Sequence, residues 1–185
     1  MRKFFMIAVI LICVGTYYYY VKTERTVKEE KITEFDKIVE LSNEANYFSD
    51  PDQLMVMNNR IIAYLYGGNV KDEEIEQLVT IQRTLLDNEL LKINPLETQL
   101  IKIESKIAEY KEKELKVIKI KQRSAQYDEK NKNIAKVQVI QYMNAGDDNY
   151  LQYYLRKQID DTWRILGWEV TDEFSISEEL EYEKQ

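Results

Sequence analysis

Histidine is absent from this 185-residue chain, and its single cysteine, Cys13, lies in an apolar run near the amino terminus. Beyond that run no disulfide, no thiolate or imidazole metal site and no Cys-His or Ser-His pair can form. The commonest general base near neutral pH is missing too, so Ser42, Ser49 and Ser105 carry no nucleophile signal. No cofactor, metal or catalytic motif is read, and the chain is expected not to be an enzyme. Positive charge is the next shortage. Without Arg2 and Lys3 the chain holds 24 basic against 33 acidic residues, a net charge of −9. Such a surface is repelled by nucleic-acid phosphates and anionic headgroups, which excludes nucleic acid as a partner.

What is present begins with residues 4–21, an uncharged apolar run between Arg2-Lys3 and Lys22. As a helix it would extend about 27 Å, close to the thickness of a bilayer's hydrocarbon layer. Its end, Tyr17-Tyr18-Tyr19-Tyr20, places tyrosines on every side of a helix, which suits a membrane-interface belt. A small-x-small cleavage site is lacking, and Ile12 before Cys13 does not fit a lipoprotein signal. The run reads as an uncleaved single-pass transmembrane signal anchor. The expected organisation is a cationic tail (1–3), the anchor (4–21) and a stalk with an amphipathic helix (22–47). An α+β domain (48–171) and an acidic tail (172–185) follow. The domain is expected outside the cytoplasm, with the membrane and other envelope proteins as its partners.

Helical spacing recurs through the first half of the chain. Ile32, Phe35, Ile38 and Val39 predict the short amphipathic helix. Leu54, Met57, Ile61 and Leu65 predict a helix opened by Asp50-Pro51 and closed by Gly67-Gly68. Ile75, Leu78-Val79, Leu85-Leu86 and Leu90 predict one helix from Asp72 to Asn94-Pro95. Leu96, Leu100, Ile103, Ile107 and Tyr110 predict the next. After residue 114 the period changes to two, predicting strands over 115–123, 134–143, 150–158 and 163–170, with a polar stretch over 124–133. Turns fall at 146–149 and 159–162. The acid pairs Asp147-Asp148 and Asp160-Asp161 lack the alternation of a calcium loop and read as turn chemistry. Lys116, Lys119, Lys121 and Arg123 read as an exposed, basic strand face.

The segment from Tyr150 to Lys157 (Tyr-Leu-Gln-Tyr-Tyr-Leu-Arg-Lys), a turn, and Trp163-Arg164-Ile165-Leu166-Gly167-Trp168 resemble the last hairpin of nuclear transport factor 2-like domains. That resemblance implies a cone: three helices packed on a curved four-stranded antiparallel sheet, often around a pocket. Tyr64, Tyr110, Tyr142 and Trp168 are the residues that could line it, or else core aromatics. The Tyr-rich anchor, Asn59-Arg60-Ile61, Leu85-Leu86-Asp87-Asn88-Glu89-Leu90-Leu91, Ile107-Ala108-Glu109-Tyr110-Lys111 and the Trp163–Trp168 ending also resemble an uncharacterised family of single-pass membrane-anchored proteins of Gram-positive anaerobes. The expected function is a non-catalytic protein-interaction or scaffolding module at the cell envelope. The alternative is a small-molecule pocket, with Tyr and Asp supplying any chemistry.

Overall fold

The structure, a computed structural model, describes residues 32–44 and 48–176. From Glu34 onward the described residues belong to one compact unit. Five helices come first: α1 (Glu34–Ser42), α2 (Pro51–Tyr66), α3 (Asp72–Thr84), α4 (Asn88–Ile93) and α5 (Leu96–Glu112). Five strands follow: β1 (Val117–Gln122), β2 (Gln126–Tyr127), β3 (Ile134–Met143), β4 (Asn149–Lys157) and β5 (Trp163–Val170). The sheet is antiparallel throughout, ordered β1-β3-β4-β5, with β2 also paired to β3.

Helix α2 is the centre of the fold, and its start is built from the sequence up. Asp50 accepts a hydrogen bond from the Asp52 N–H at 3.0 Å, and Pro51 occupies the first helical position, where its missing N–H costs nothing. Its end carries Gly68 at φ +88°, a backbone that a Cβ disfavours. Leu54, Ile61 and Leu65 are fully buried, each stabilising the fold by about 1.5–3 kcal/mol. The inward residues Val137, Val139, Tyr153, Leu155 and Ile165 of the sheet belong to the same core cluster. Two buried asparagines stand among the apolar residues of α2. One of them, Asn59, donates to Gln122 Oε1 of β1 at 2.7 Å, and Gln122 donates to the Asp52 carbonyl at 3.2 Å. Asp52 in turn accepts the Ala125 N–H at 2.7 Å. This exchange fixes α2 to the sheet where β1 gives way to β2.

Three expectations are corrected. The single helix from Asp72 to Asn94 is two, because the intervening residues dock on the sheet edge instead. Ile165 donates its N–H to the Leu85 carbonyl, and Asp87 donates its N–H to the Ile165 carbonyl, both at 2.8 Å. Asp87 then caps α4 by accepting from the Glu89 N–H at 2.9 Å. The polar stretch 124–133 contains β2, in which Tyr127 packs edge-on against Trp163 at 5.8 Å. Among the described residues the architecture is thus five helices and five strands: the expected amphipathic helix is α1, whose Ile38 is wholly inside the core, and the cone of three helices and four strands gains α4 and β2. The membrane and single-pass reading is corrected as well: among the described residues no helix is long and apolar enough to cross a membrane. The run 4–21, with its Tyr17–Tyr20 belt, lies outside the described residues.

Strand alternation sends Lys119, Lys121, Ile140, Tyr142, Tyr150 and Tyr154 to the sheet face opposite the helix-side core. Residues 171–176 cross that face. Thr171 donates its N–H to the Tyr150 carbonyl at 2.9 Å. The Phe174 ring sits 5.4 Å from Tyr150 and beneath the Arg123 guanidinium, which also bonds the Ser175 carbonyl. Ile140, in register with Tyr150 and Lys121, is buried there although it lies outside the helix-side cluster.

Candidate functional site

Between α2, α3 and α5 on one side and β3–β5 on the other lies a cavity of about 290 Å³. Its mouth holds the exposed Lys106 and Trp168, the latter 50% exposed. Its walls are Tyr66, Tyr110, Ile62, Leu151 and Tyr153. The Tyr66 and Tyr110 rings lie 5.5 Å apart, and those of Tyr153 and Trp168 lie 5.9 Å apart. Burial, with the neighbouring Tyr110 hydroxyl second, pushes Tyr66 up to about 12. Burial likewise pushes Tyr153 to about 12, only partly offset by the Asn58 amide that faces it. Both phenols are therefore neutral at physiological pH. The Lys106 ammonium is held by Glu109 at 3.0 Å and lies 4.9 Å over the Tyr110 ring.

The inner end is made of amides. Asn58, Gln82 and Gln99 come from α2, α3 and α5, and each is buried. Gln82 Nε2 donates to Asn58 Oδ1 at 3.2 Å, and Gln99 Nε2 donates to Gln82 Oε1 at a longer 3.5 Å. Behind them Arg83 donates at 2.7 Å both to Gln99 Oε1 and to the Asn94 carbonyl. Asn58 Nδ2 has no hydrogen-bond partner of normal geometry in a side chain 1% exposed. A buried donor left unmade costs about 1–3 kcal/mol, and the Tyr153 hydroxyl that Asn58 faces meets it only outside normal hydrogen-bond geometry.

Two other cavities differ in kind. One, of about 420 Å³, lies beyond the Tyr66–Tyr110 pair and is lined by Leu65, Val70, Ile107, Lys111 and Lys116 among others. The other, of about 460 Å³, surrounds the turn at Ile159, Asp160 and Thr162. Among the described residues neither is lined by a buried polar side-chain atom that lacks a partner.

Of the four aromatics singled out from the sequence, Tyr110 and Trp168 line the 290 Å³ cavity. Tyr64 does not. It lies two positions before Tyr66, about 200° around the helix, and donates its hydroxyl to the buried Glu74 at 2.8 Å. Burial and that bond push Tyr64 up to about 12. Glu74 also accepts the Lys71 N–H at 3.1 Å and pairs with its ammonium at 3.2 Å, so this acid supports the start of α3. Tyr142 faces the opposite side of the sheet, paired with Lys119. Each acid pair contributes to its own turn: Asp148 accepts the Met143 N–H at 2.9 Å, and Asp160 accepts the Thr162 N–H at 3.1 Å and its hydroxyl at 2.6 Å.

Sequence reasoning missed Tyr66, Tyr153 and all three amides. A signal for the amides existed. Asn58 stands four residues after Leu54 and three before Ile61, inside the apolar stripe of α2. Gln82 falls between Leu78-Val79 and Leu85-Leu86, and Gln99 between Leu96 and Ile103. A polar residue at a stripe position must find a buried partner or leave an atom without one.

Fold and cavity together define an α+β domain with helices and an antiparallel sheet enclosing a polar-ended pocket. The chain belongs to the family described as Domain of unknown function (DUF6715), which matches residues 1–168. Every residue lining the cavity lies within that match. No curated protein matches the chain, and no solved structure matches it.

Proposed function

We propose that this protein is a small-molecule-binding module whose ligand occupies the cavity between Asn58 and Trp168, and that it binds without chemical conversion. The observation that carries the reading is Asn58 Nδ2 at the end of an aromatic-walled pocket, a buried donor that faces the Tyr153 hydroxyl but makes no hydrogen bond of normal geometry. Small-molecule sites characteristically combine apolar and aromatic walls with a few fixed polar groups. The non-catalytic part is supported by the lining itself: the Tyr66 and Tyr153 phenols are neutral, its ammonium is tied to Glu109, and it includes no carboxylate. We also read the fold as nuclear transport factor 2-like. What supports this is the order of helices before an antiparallel sheet, with bulges in β1 and at Tyr154/Leu155 that bend strands.

The test is a chemically diverse fragment set screened by thermal shift and ligand-observed NMR on the full chain. Hits are then repeated on Ile62→Trp, which adds volume to the cavity wall. Binders lost in that variant support the reading; a set without binders, or binders indifferent to Ile62→Trp, contradicts it.

One observation favours a second reading, a protein-interaction module. Beyond Ile165 the outer edge of β5 is unpaired among the described residues, and Trp168 and Val170 are exposed there. An open edge is a template for strand addition. Val170→Pro should abolish association with a co-purified protein while leaving fragment binding intact, and unchanged association removes the edge from consideration.

A further inference from the structure

We infer that the cavity selects a neutral, planar ligand that presents a carbonyl-type oxygen to Asn58; this rests on the ligand-binding reading above and names its chemistry. The argument is one of direction. A guanidinium only donates hydrogen bonds. Arg83, donating at 2.7 Å to Gln99, therefore requires the Gln99 oxygen to face it. That turns Gln99 Nε2 towards Gln82, which must accept with its oxygen and donate onward with Nε2. Asn58 receives that bond on Oδ1 and is left with Nδ2 at the cavity end. Reversing any one amide would set two donors, or two acceptors, against each other. The polarity of the pocket is thus imposed from the far side of the helices by a residue that touches no ligand.

What meets Nδ2 must be an acceptor, and three features restrict it further. A carboxylate would be buried among uncharged amides and aromatic rings, since the only ammonium in the lining, Lys106, is at the mouth and paired with Glu109. Burying an anion so poorly compensated is unfavourable, whereas a neutral carbonyl needs only the donor on offer. A cation would meet no carboxylate in the lining. Finally, the Tyr66–Tyr110 and Tyr153–Trp168 pairs present ring surfaces suited to a flat ligand.

Three probes of nearly equal size separate these possibilities on the full chain: benzamide, benzoate and benzylamine. Affinities are read by ligand-observed NMR, with Trp168 indole shifts reporting the site. Benzamide should bind at least about tenfold more tightly than benzoate, with benzylamine not detected. Asn58→Leu should weaken benzamide by about tenfold and leave benzylamine undetected. The ranking on the unaltered chain stands even where that variant does not fold. Benzoate or benzylamine as the tightest probe, or benzamide binding unchanged in folded Asn58→Leu, overturns the inference. If none of the three binds while diverse fragments are lost in Ile62→Trp, the ligand chemistry is overturned and the cavity reading survives. If neither set binds, both fall.

Discussion

Asp87 is where loss of one carboxylate should be felt most widely. Its side chain is 1% exposed and accepts four hydrogen bonds: Arg156 Nη2 at 2.6 Å, Arg156 Nε at 3.0 Å, Gln158 Nε2 at 2.8 Å and the Glu89 N–H at 2.9 Å. Asp87→Ala removes an N-cap, at about 1 kcal/mol. It also strands Arg156. Removing one partner of a fully buried pair costs about 3–5 kcal/mol, but Arg156 is a third exposed and keeps Glu89 at 3.0 Å. That contact and water limit this part to roughly 2 kcal/mol. The total is about 3 kcal/mol, which for a domain of this size lowers Tm by about 10 °C. Asp87→Asn keeps an oxygen for the cap and should lose roughly half as much. Urea and thermal melts followed by circular dichroism measure both, and a cycle with Arg156→Ala isolates the pair. A loss below about 1 kcal/mol with coupling near zero would refute the reasoning, because the cluster would then behave as a hydrated surface pair.

The remaining predictions probe other joints of the fold. Burial pushes the Glu74 and Asp87 carboxyls up, but the bonds from Lys71 and Tyr64 to the first, and from Arg156, Glu89 and Gln158 to the second, outweigh it and hold both below their ordinary values. A carboxyl lowered on folding contributes stability above its unfolded pKa and loses it as pH falls through the folded one. Stability should therefore decline from about pH 4.5 downwards, with a shallower decline in Glu74→Gln; parallel urea curves from pH 6 to 3 for the two proteins would count against this. Gln122→Leu leaves Asn59 Nδ2 without its acceptor and should cost about 1–3 kcal/mol, part of it recovered by adding Asn59→Leu; urea midpoints decide. Phe174→Ala should speed amide exchange around Ile140 and Tyr150 while sparing α2, and unchanged exchange would show that the tail does not cover that face. Gly68→Ala, at φ +88° with no atom nearer than 3.9 Å to the added Cβ, should cost about 1 kcal/mol from backbone strain alone.

The elements were legible where local rules and tertiary packing agree. Asp50-Pro51 and Gly67-Gly68 bound α2 as expected, and the spans 134–143 and 163–170 are β3 and β5 to the residue. Where they diverge, the sequence misleads. The apolar spacing runs on through Leu85-Leu86-Asp87 to Leu90, and the local cap offered by Asp87 prevails because the carbonyl and N–H of Ile165, some eighty residues away, make leaving the helix favourable. Two residues of β2 are equally invisible, because a strand that short owes its pairing to β3 and to Trp163 rather than to its own pattern. The cavity lies between these cases. Aromatics drew attention because they are large, yet only packing decides that Tyr110 and Trp168 share a space while Tyr64 turns to Glu74. The amides were the better signal, since a polar residue in an apolar stripe must be answered inside the protein. Which atom is left over is a further step removed from the sequence: it depends on Arg83, just outside the stripe, whose donors orient Gln99, Gln82 and Asn58 in turn. The site's polarity therefore belongs to the assembled helices, and replacing Arg83 should change what the cavity accepts before it changes the cavity's shape.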